Sequence, residues 1–210
     1  YQFFTFGIQS GSRFIENQNA RVGEQGARVL RGDLRGRGWL ARANGYAALV
    51  AGDAATYLDQ TELAARCFEE AREERHALTF RTSVGFAHIA LGQYAEAEGI
   101  LRDTLARAER MRLAHTRVIA KHNLGYAVAL AGDLPAGIAI ERDAIEDAKS
   151  QQDRWVECVS YTYLADLLLR ASDAAGALDA ALVARDLSDD PNRVLALALF
   201  LVGGALFVYK

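Results

Sequence analysis

The chain has 210 residues, of which 51% are hydrophobic and 24% are charged, and its formal net charge is −3 at pH 7. That much apolar side chain is enough to build a folded core, so the composition is not that of a disordered chain. The slight negative charge argues against nucleic acid as a partner, because nucleic-acid-binding proteins usually carry a basic stripe. Only 2 prolines are present, which favours helix throughout.

The first part of the chain is locally basic. Residues 1–42 contain seven arginines against three acidic residues: Arg13, Arg21, Arg28, Arg31, Arg35, Arg37 and Arg42 against Glu16, Glu24 and Asp33. The glycine- and arginine-rich stretch 31–38 predicts a solvated connection between helices, with an anionic contact site as the alternative.

A short motif then returns every 40 residues. Its four copies are Asn44-Gly45-Tyr46-Ala47, Val84-Gly85-Phe86-Ala87, Leu124-Gly125-Tyr126-Ala127 and Leu164-Ala165-Asp166-Leu167. Seven residues after each glycine, or its alanine, comes a second mark: Gly52-Asp53, Gly92-Gln93, Gly132-Asp133 and Ser172-Asp173. A fixed period of this length predicts an array of one repeated structural unit.

Each repeat is predicted to hold two helices separated by the glycine-containing turn. In the unit 77–116 these are Phe80–Leu91 and a second helix from Tyr94 to about Arg110, and the polar run 149–154 marks the connection between units. A glycine inside a helix costs about 1 kcal/mol relative to alanine. Its repetition at the first-helix motif therefore predicts a close approach of the neighbouring helix. The turn glycines suit a left-handed residue that ends a helix.

These features resemble the tetratricopeptide repeat (TPR) family. The residues that carry the resemblance are Val84, Gly85, His88, Gly92, Tyr94, Ala97, Leu101 and Thr104, then Leu124, Gly125, Val128, Gly132, Leu134 and Ala144, then Leu164, Ala165, Leu168, Ala177 and Ala184. The resemblance implies an all-α fold, an α-solenoid of antiparallel helix pairs wound as a right-handed superhelix of about five repeats. HEAT-type helical repeats are the second alternative, since they share the period but lack the paired glycines.

The period departs from the common TPR length of about 34 residues. We expect longer helices with an extended inter-repeat loop to account for the difference. The predicted units are approximately 1–36, 37–76, 77–116, 117–156 and 157–196, with a partial sixth unit at 197–210, all in one domain of a longer protein. The apolar run 194–209 is interpreted as a repeat helix. Its alternatives are the start of a membrane segment and a surface for end-to-end self-association.

No catalytic motif is visible, so the chain is not predicted to be an enzyme. It has no phosphate-binding loop, zinc-protease helix or nucleophile elbow. His115 and His122 lie seven residues apart with no acidic or cysteine partner at ligand spacing, so neither a metal nor another cofactor is expected. Cys67 and Cys158 show no paired spacing, which favours a reducing compartment, the cytoplasm.

The resemblance also implies where a partner binds, because in TPR arrays the first helices of successive repeats line a concave groove. The positions transferred by register are Arg42, Tyr46, Thr82, Phe86, His122, Asn123, Tyr126, Tyr163 and Asp166. An aromatic groove with a few hydrogen-bonding groups suits an extended peptide or a helix. The amide of Asn123 offers both a donor and an acceptor to a peptide backbone. The alternative is that the aromatic residues only pack against the neighbouring repeat.

The predicted function is therefore a protein- or peptide-binding scaffold. In composition and repeat length the chain is similar to arrays attached to bacterial signalling proteins, such as serine/threonine kinases and ATPase-type regulators. The alternative is a sensor domain whose superhelix changes shape when it binds a ligand or a peptide.

Overall fold

The computed structural model describes residues 33–188. Within that range the chain forms eight α-helices and no strand. They are α1 (Leu34–Ala51), α2 (Ala54–Glu70), α3 (Glu74–Ala90), α4 (Tyr94–Arg110), α5 (Ala114–Leu130), α6 (Leu134–Ser150), α7 (Arg154–Arg170) and α8 (Ala174–Leu187). Most of the predicted first repeat, the apolar run 194–209 and the partial sixth repeat lie outside the described residues. The chain divides into two compact units between Gln93 and Tyr94, so α1–α3 and α4–α8 are treated separately below.

Helix length, and not loop length, explains the 40-residue period. Helices α2 to α7 each contain 17 residues. They are joined by connections of only three residues, such as Ala71–Glu73 and Leu91–Gln93. Two helices and two connections make one period, so the expected extended inter-repeat loop is wrong. The predicted helix Tyr94–Arg110 is confirmed, whereas the helix predicted to begin at Phe80 begins at Glu74.

The predicted solvated connection over 31–38 is also wrong beyond Asp33. Helix α1 begins at Leu34, and the Asp33 carboxylate accepts hydrogen bonds from the backbone N–H groups of Arg35 and Gly36, both at 3.2 Å. An aspartate in this position satisfies amide groups that the helix cannot bond internally. Because this cap is in place, the glycines and arginines that follow continue as helix.

The connections between helices share a residue with a left-handed backbone. Gly52, Gly92 and Gly132 have φ of 76°, 74° and 119°, which confirms the prediction for the turn glycines. The other connections place the side-chain-bearing residues Arg72, Arg112, Gln152 and Ser172 in the same region. The next N–H group then bonds to the carbonyl five residues earlier, as in Asp53 N–H to Ala48 O at 2.9 Å. Helices α1 to α7 therefore all end in the same way.

The last residue of a connection often caps the next helix. Asp53, Asp133, Asp153 and Asp173 each accept a hydrogen bond from the backbone N–H three residues later, at 2.9 to 3.1 Å. One short connection thus ends one helix and begins the next, and consecutive helices within each unit pack against each other.

The core of the α1–α3 unit is aromatic. Phe68 is completely buried and its ring stacks on Phe80 with 5.3 Å between centroids. Trp39 of α1 meets the Phe68 ring edge-on at 5.2 Å. Helix α1 can pack closely here because Gly38 has no side chain, since a Cβ at that position would lie 2.7 Å from the Phe68 ring. These contacts join α1, α2 and α3.

The core of the α4–α8 unit contains two closely packed helices, α5 and α6. A Cβ on Gly137 would lie 2.4 Å from the Ala129 Cβ and 2.6 Å from the Gly125 carbonyl oxygen. A Cβ on Gly125 would lie 3.0 Å from the Glu141 backbone nitrogen. The close approach predicted from the first-helix glycine is therefore found at Gly125. The sequence motif did not include its partner Gly137.

We predict that Gly137→Ala destabilises the chain by about 1–3 kcal/mol, because the added methyl group forces α5 and α6 apart. Gly99→Ala is the matched control, since Gly99 also lies inside a helix but nothing lies within 4 Å of a Cβ there. That control should stabilise the chain by about 0.5–1 kcal/mol through helix propensity. Urea unfolding followed by circular dichroism measures both changes. Equal effects of the two substitutions would contradict the close crossing.

Candidate functional site

The predicted groove residues of the α1–α3 unit differ in exposure. Arg42 and Tyr46 of α1 are exposed, Tyr46 by 44%. Phe86 of α3 is half-buried and meets the Tyr57 ring edge-on at 6.2 Å, while Thr82 is buried. Only the two α1 residues are thus freely available to a partner in this unit, with Phe86 partly so.

An exposed tryptophan that the repeat motif missed lies on the same face of α1. Trp39 is 43% exposed, and the Arg42 guanidinium lies 5.3 Å from its ring centroid. Positions three and seven residues apart share a helix face, so Trp39, Arg42 and Tyr46 form one stripe, called the α1 stripe below. Helical spacing from Tyr46 could have identified Trp39. The groove positions transferred by register reach only three residues before the glycine, whereas Trp39 lies six residues before Gly45.

The predicted groove residues of the α4–α8 unit are all buried. His122, Asn123 and Tyr126 lie on α5, and Tyr163 and Asp166 lie on α7, with exposures of 2% to 6%. The structure brings these two helices into direct contact through the rings. Tyr163 stacks on His122 at 4.3 Å and on Tyr126 at 4.2 Å between centroids. This agrees with the alternative in which the aromatic residues pack against the neighbouring repeat.

A chain of hydrogen bonds continues from the stacked rings. The Tyr126 hydroxyl donates to Asp166 Oδ2 at 2.9 Å, and Arg170 Nε donates to the same oxygen at 2.8 Å. Burial raises the pKa of the Tyr126 hydroxyl, and the negative charge of Asp166 raises it further. The phenol therefore stays protonated and remains a donor. Asp166 Oδ2 thus accepts from one neutral donor and one charged donor, whereas Oδ1 is buried without a hydrogen-bond partner in residues 33–188.

No sequence motif indicated Glu141 of α6, the most deeply buried charged group in residues 33–188. Its side chain has no solvent exposure, and its Oε1 lies 2.6 Å from His122 Nδ1. Ser160 Oγ of α7, also fully buried, lies 3.1 Å from the same nitrogen. Burial raises the pKa of the Glu141 carboxyl, and His122 opposes that shift. His122, Glu141 and Ser160 are called the buried triad below.

The repeat register contained the signal for this group. Glu141 falls 40 residues after Leu101, which is a completely buried core leucine. Ser160 likewise falls 40 residues after Ala120. Polar residues at positions that are apolar one repeat earlier indicate a buried polar cluster. Local sequence spacing did not indicate the contact with His122, because Glu141 lies 19 residues after it in the chain.

Among residues 33–188, no group of three or more histidine, cysteine, aspartate or glutamate side chains is placed to hold a metal ion. In the same range, no helix is both long and apolar enough to cross a bilayer.

Comparison with solved structures identifies the fold. A crystal structure from Podosopora anserina, "putative kinesin light chain nearly identical TPR-like repeats", is similar with a TM-score of 0.53 and 16% sequence identity, covering 86% of this chain and 94% of that chain. A variant of the same protein gives a TM-score of 0.56 at 17% identity, covering 89% of this chain and 96% of that chain. No protein-family model matches the sequence, and no curated protein matches it.

Replacement of Tyr126 by phenylalanine tests whether its hydroxyl contributes to the stability of the packed helices. We predict that Tyr126→Phe destabilises the chain by about 1–2 kcal/mol, because Asp166 loses a buried hydrogen bond. The same change at exposed Tyr46 should alter the free energy of unfolding by less than about 0.5 kcal/mol. Chemical denaturation measures both values, and a neutral Tyr126→Phe would show that the hydroxyl does not hold Asp166.

The packed helix pairs, the short closed connections and these two structures agree with the resemblance seen in the sequence: the chain has the all-α, TPR-like helical-repeat fold.

Proposed function

We propose that the chain is a protein- or peptide-binding scaffold. The observation that carries the proposal is the α1 stripe, which presents Trp39, Arg42 and Tyr46 on one helix face of a TPR-like repeat. Tryptophan, tyrosine and arginine are the residues most enriched among those that dominate binding energy at protein interfaces. A helix face of this kind offers both apolar area and a cation to a bound segment.

The charge of α1 supports contact with a partner. The helix contains Arg35, Arg37 and Arg42 and no acidic residue. Arg35 is paired with Glu73, whereas Arg42 lies over the Trp39 ring. An arginine held over an aromatic ring keeps its outer hydrogen-bond donors available.

The buried groove positions have a different part in the proposal. His122, Asn123, Tyr126, Tyr163 and Asp166 are covered by helix packing, so a partner could reach them only if α5 and α7 separated. Their contact with a partner stays a prediction. In the packed state, their stacked rings and the hydrogen bond between Tyr126 and Asp166 hold α5 and α7 together.

The biological setting is proposed from the sequence. The long alanine- and arginine-rich repeats are similar to those attached to bacterial signalling proteins, so we propose an interaction region of such a protein in the cytoplasm. Neither Cys67 nor Cys158 forms a disulfide in the described residues, which is compatible with that compartment.

Peptide selection tests the scaffold. Peptides would be selected from a random display library against the chain, and their affinities measured by fluorescence anisotropy. We expect Arg42→Ala/Tyr46→Ala to weaken binding at least tenfold, because truncating two such residues typically costs more than about 1.4 kcal/mol. Trp155→Ala is the control, since Trp155 is a 66% exposed aromatic residue of α7 outside the stripe.

Two outcomes would contradict the proposal. Selection of no specific peptide would remove the scaffold function, and equal affinities for the wild type and the double variant would remove the α1 stripe as its surface. A small ligand that changes the scattering profile of the chain, without peptide binding, would favour the sensor alternative.

A further inference from the structure

The buried triad contains an acid and a base that are closed off from water. Glu141 has no exposure and the His122 side chain has 6%. In the part of the chain that the structure describes, Glu141 Oε2 has no hydrogen-bond partner. That oxygen lies 3.0 Å from the position of a Cβ on Gly125, so it is pressed against the α5 backbone. The Tyr163 ring covers His122 from the α7 side.

The other ionisable groups around the triad are either neutral or already paired. Tyr126 and Tyr163 are phenols, and Ser160 is a neutral hydroxyl. Asp166 of α7 forms an ion pair with Arg170. Lys121, next to His122 on α5, is held by Asp143 at 2.6 Å and Asp147 at 2.5 Å on α6. Among these groups, the charge on Glu141 is therefore balanced directly by His122.

A net charge in such a site is costly, because burial removes the hydration of an ion. A pair without net charge requires one proton shared between His122 Nδ1 and Glu141 Oε1, which lie 2.6 Å apart. Imidazolium with carboxylate, and imidazole with carboxylic acid, contain the same number of protons, so both forms belong to one macroscopic state. In the unfolded chain, histidine and glutamate titrate near their ordinary values of about 6.5 and about 4.3. Above about pH 6.5 the unfolded pair therefore holds no proton.

We propose that packing of α7 against the α5–α6 hairpin takes up one proton at the buried triad above about pH 6.5, so that this unit loosens as the pH rises. The proton acts as a ligand that binds the packed state and not the separated one. Loosening at this point separates the Tyr163 ring of α7 from the His122 and Tyr126 rings of α5, three of the predicted groove positions that the packed state buries. The inference does not depend on the peptide-binding proposal.

The direction follows from where the proton is held. A site that keeps its proton in the folded chain, and loses it on unfolding, stabilises the fold. This stabilisation is complete when the pH is below the pKa of the site in the unfolded chain. That stabilisation disappears as the pH rises from about 6.5 through the pH at which the pair loses its proton in the folded chain. Below about pH 4.3 the unfolded chain takes up a second proton, and stability falls again. The raised pKa of the Glu141 carboxyl has the same sign, because burial favours its protonated form.

Neighbouring repeats supply a variant that should fold without the pair. The positions 40 residues before Glu141 and His122 hold Leu101 and Thr82, both buried. The double variant His122→Thr/Glu141→Leu therefore copies residues that this chain already packs at these positions. His115→Thr is the control, since His115 bonds to Asp153 at 2.7 Å but is exposed.

Urea unfolding from pH 5 to pH 9 tests the proposal. Relative to the double variant, the unfolding constant of the wild type should rise by up to tenfold per pH unit above about pH 7, as the loss of one proton requires. The His115→Thr variant should keep the wild-type slope. Equal slopes for the wild type and the double variant would overturn the proposal.

A second measurement uses the wild type alone and does not depend on the variant folding. Calorimetric unfolding at pH 8, in buffers with different enthalpies of ionisation, counts the protons released. We expect a release of about one proton per chain from this site. A release of none would overturn the proposal.

Discussion

The common way in which helices α1 to α7 end is the constraint on which the rest of the fold depends. A short connection with a left-handed residue makes the chain reverse, and the aspartate that follows often begins the next helix at once. Because helices α2 to α7 are equal in length, residues 40 positions apart lie at the same point of the repeated helix pair. The repeat therefore specifies which side chains meet, and individual substitutions decide what those contacts do.

The α4–α8 unit illustrates this point. Polar residues replace apolar ones at repeat positions that the fold buries, and they form contacts that join α5, α6 and α7. Buried polar contacts of this kind gain less stability than well-packed apolar ones. The α1 stripe has the opposite character, since large side chains remain exposed there. One unit thus carries an exposed surface suited to contact, and the other carries an internal polar network.

The sequence predicted the fold well because the fold is periodic. Glycine spacing identified the connections at Gly52, Gly92 and Gly132, and Gly125 was correctly expected at a close helix approach. The candidate site was predicted less well, because register gives a residue's position in the repeat but not its exposure. Tyr46 and Tyr126 occupy the same position, yet one is exposed and the other stacks on Tyr163. That difference arises from neighbours far away in sequence, which a motif does not contain.

Hydroxyl-radical footprinting read by mass spectrometry most directly tests the central division between an exposed α1 stripe and a buried polar network. The rate of oxidation of an aromatic side chain depends on its contact with solvent. The structure predicts rapid modification of Trp39 and Tyr46 and strong protection of Tyr126 and Tyr163 in the native chain at neutral pH. Modification of Tyr126 and Tyr163 as fast as that of Tyr46 would contradict it, and would return those residues to an open groove.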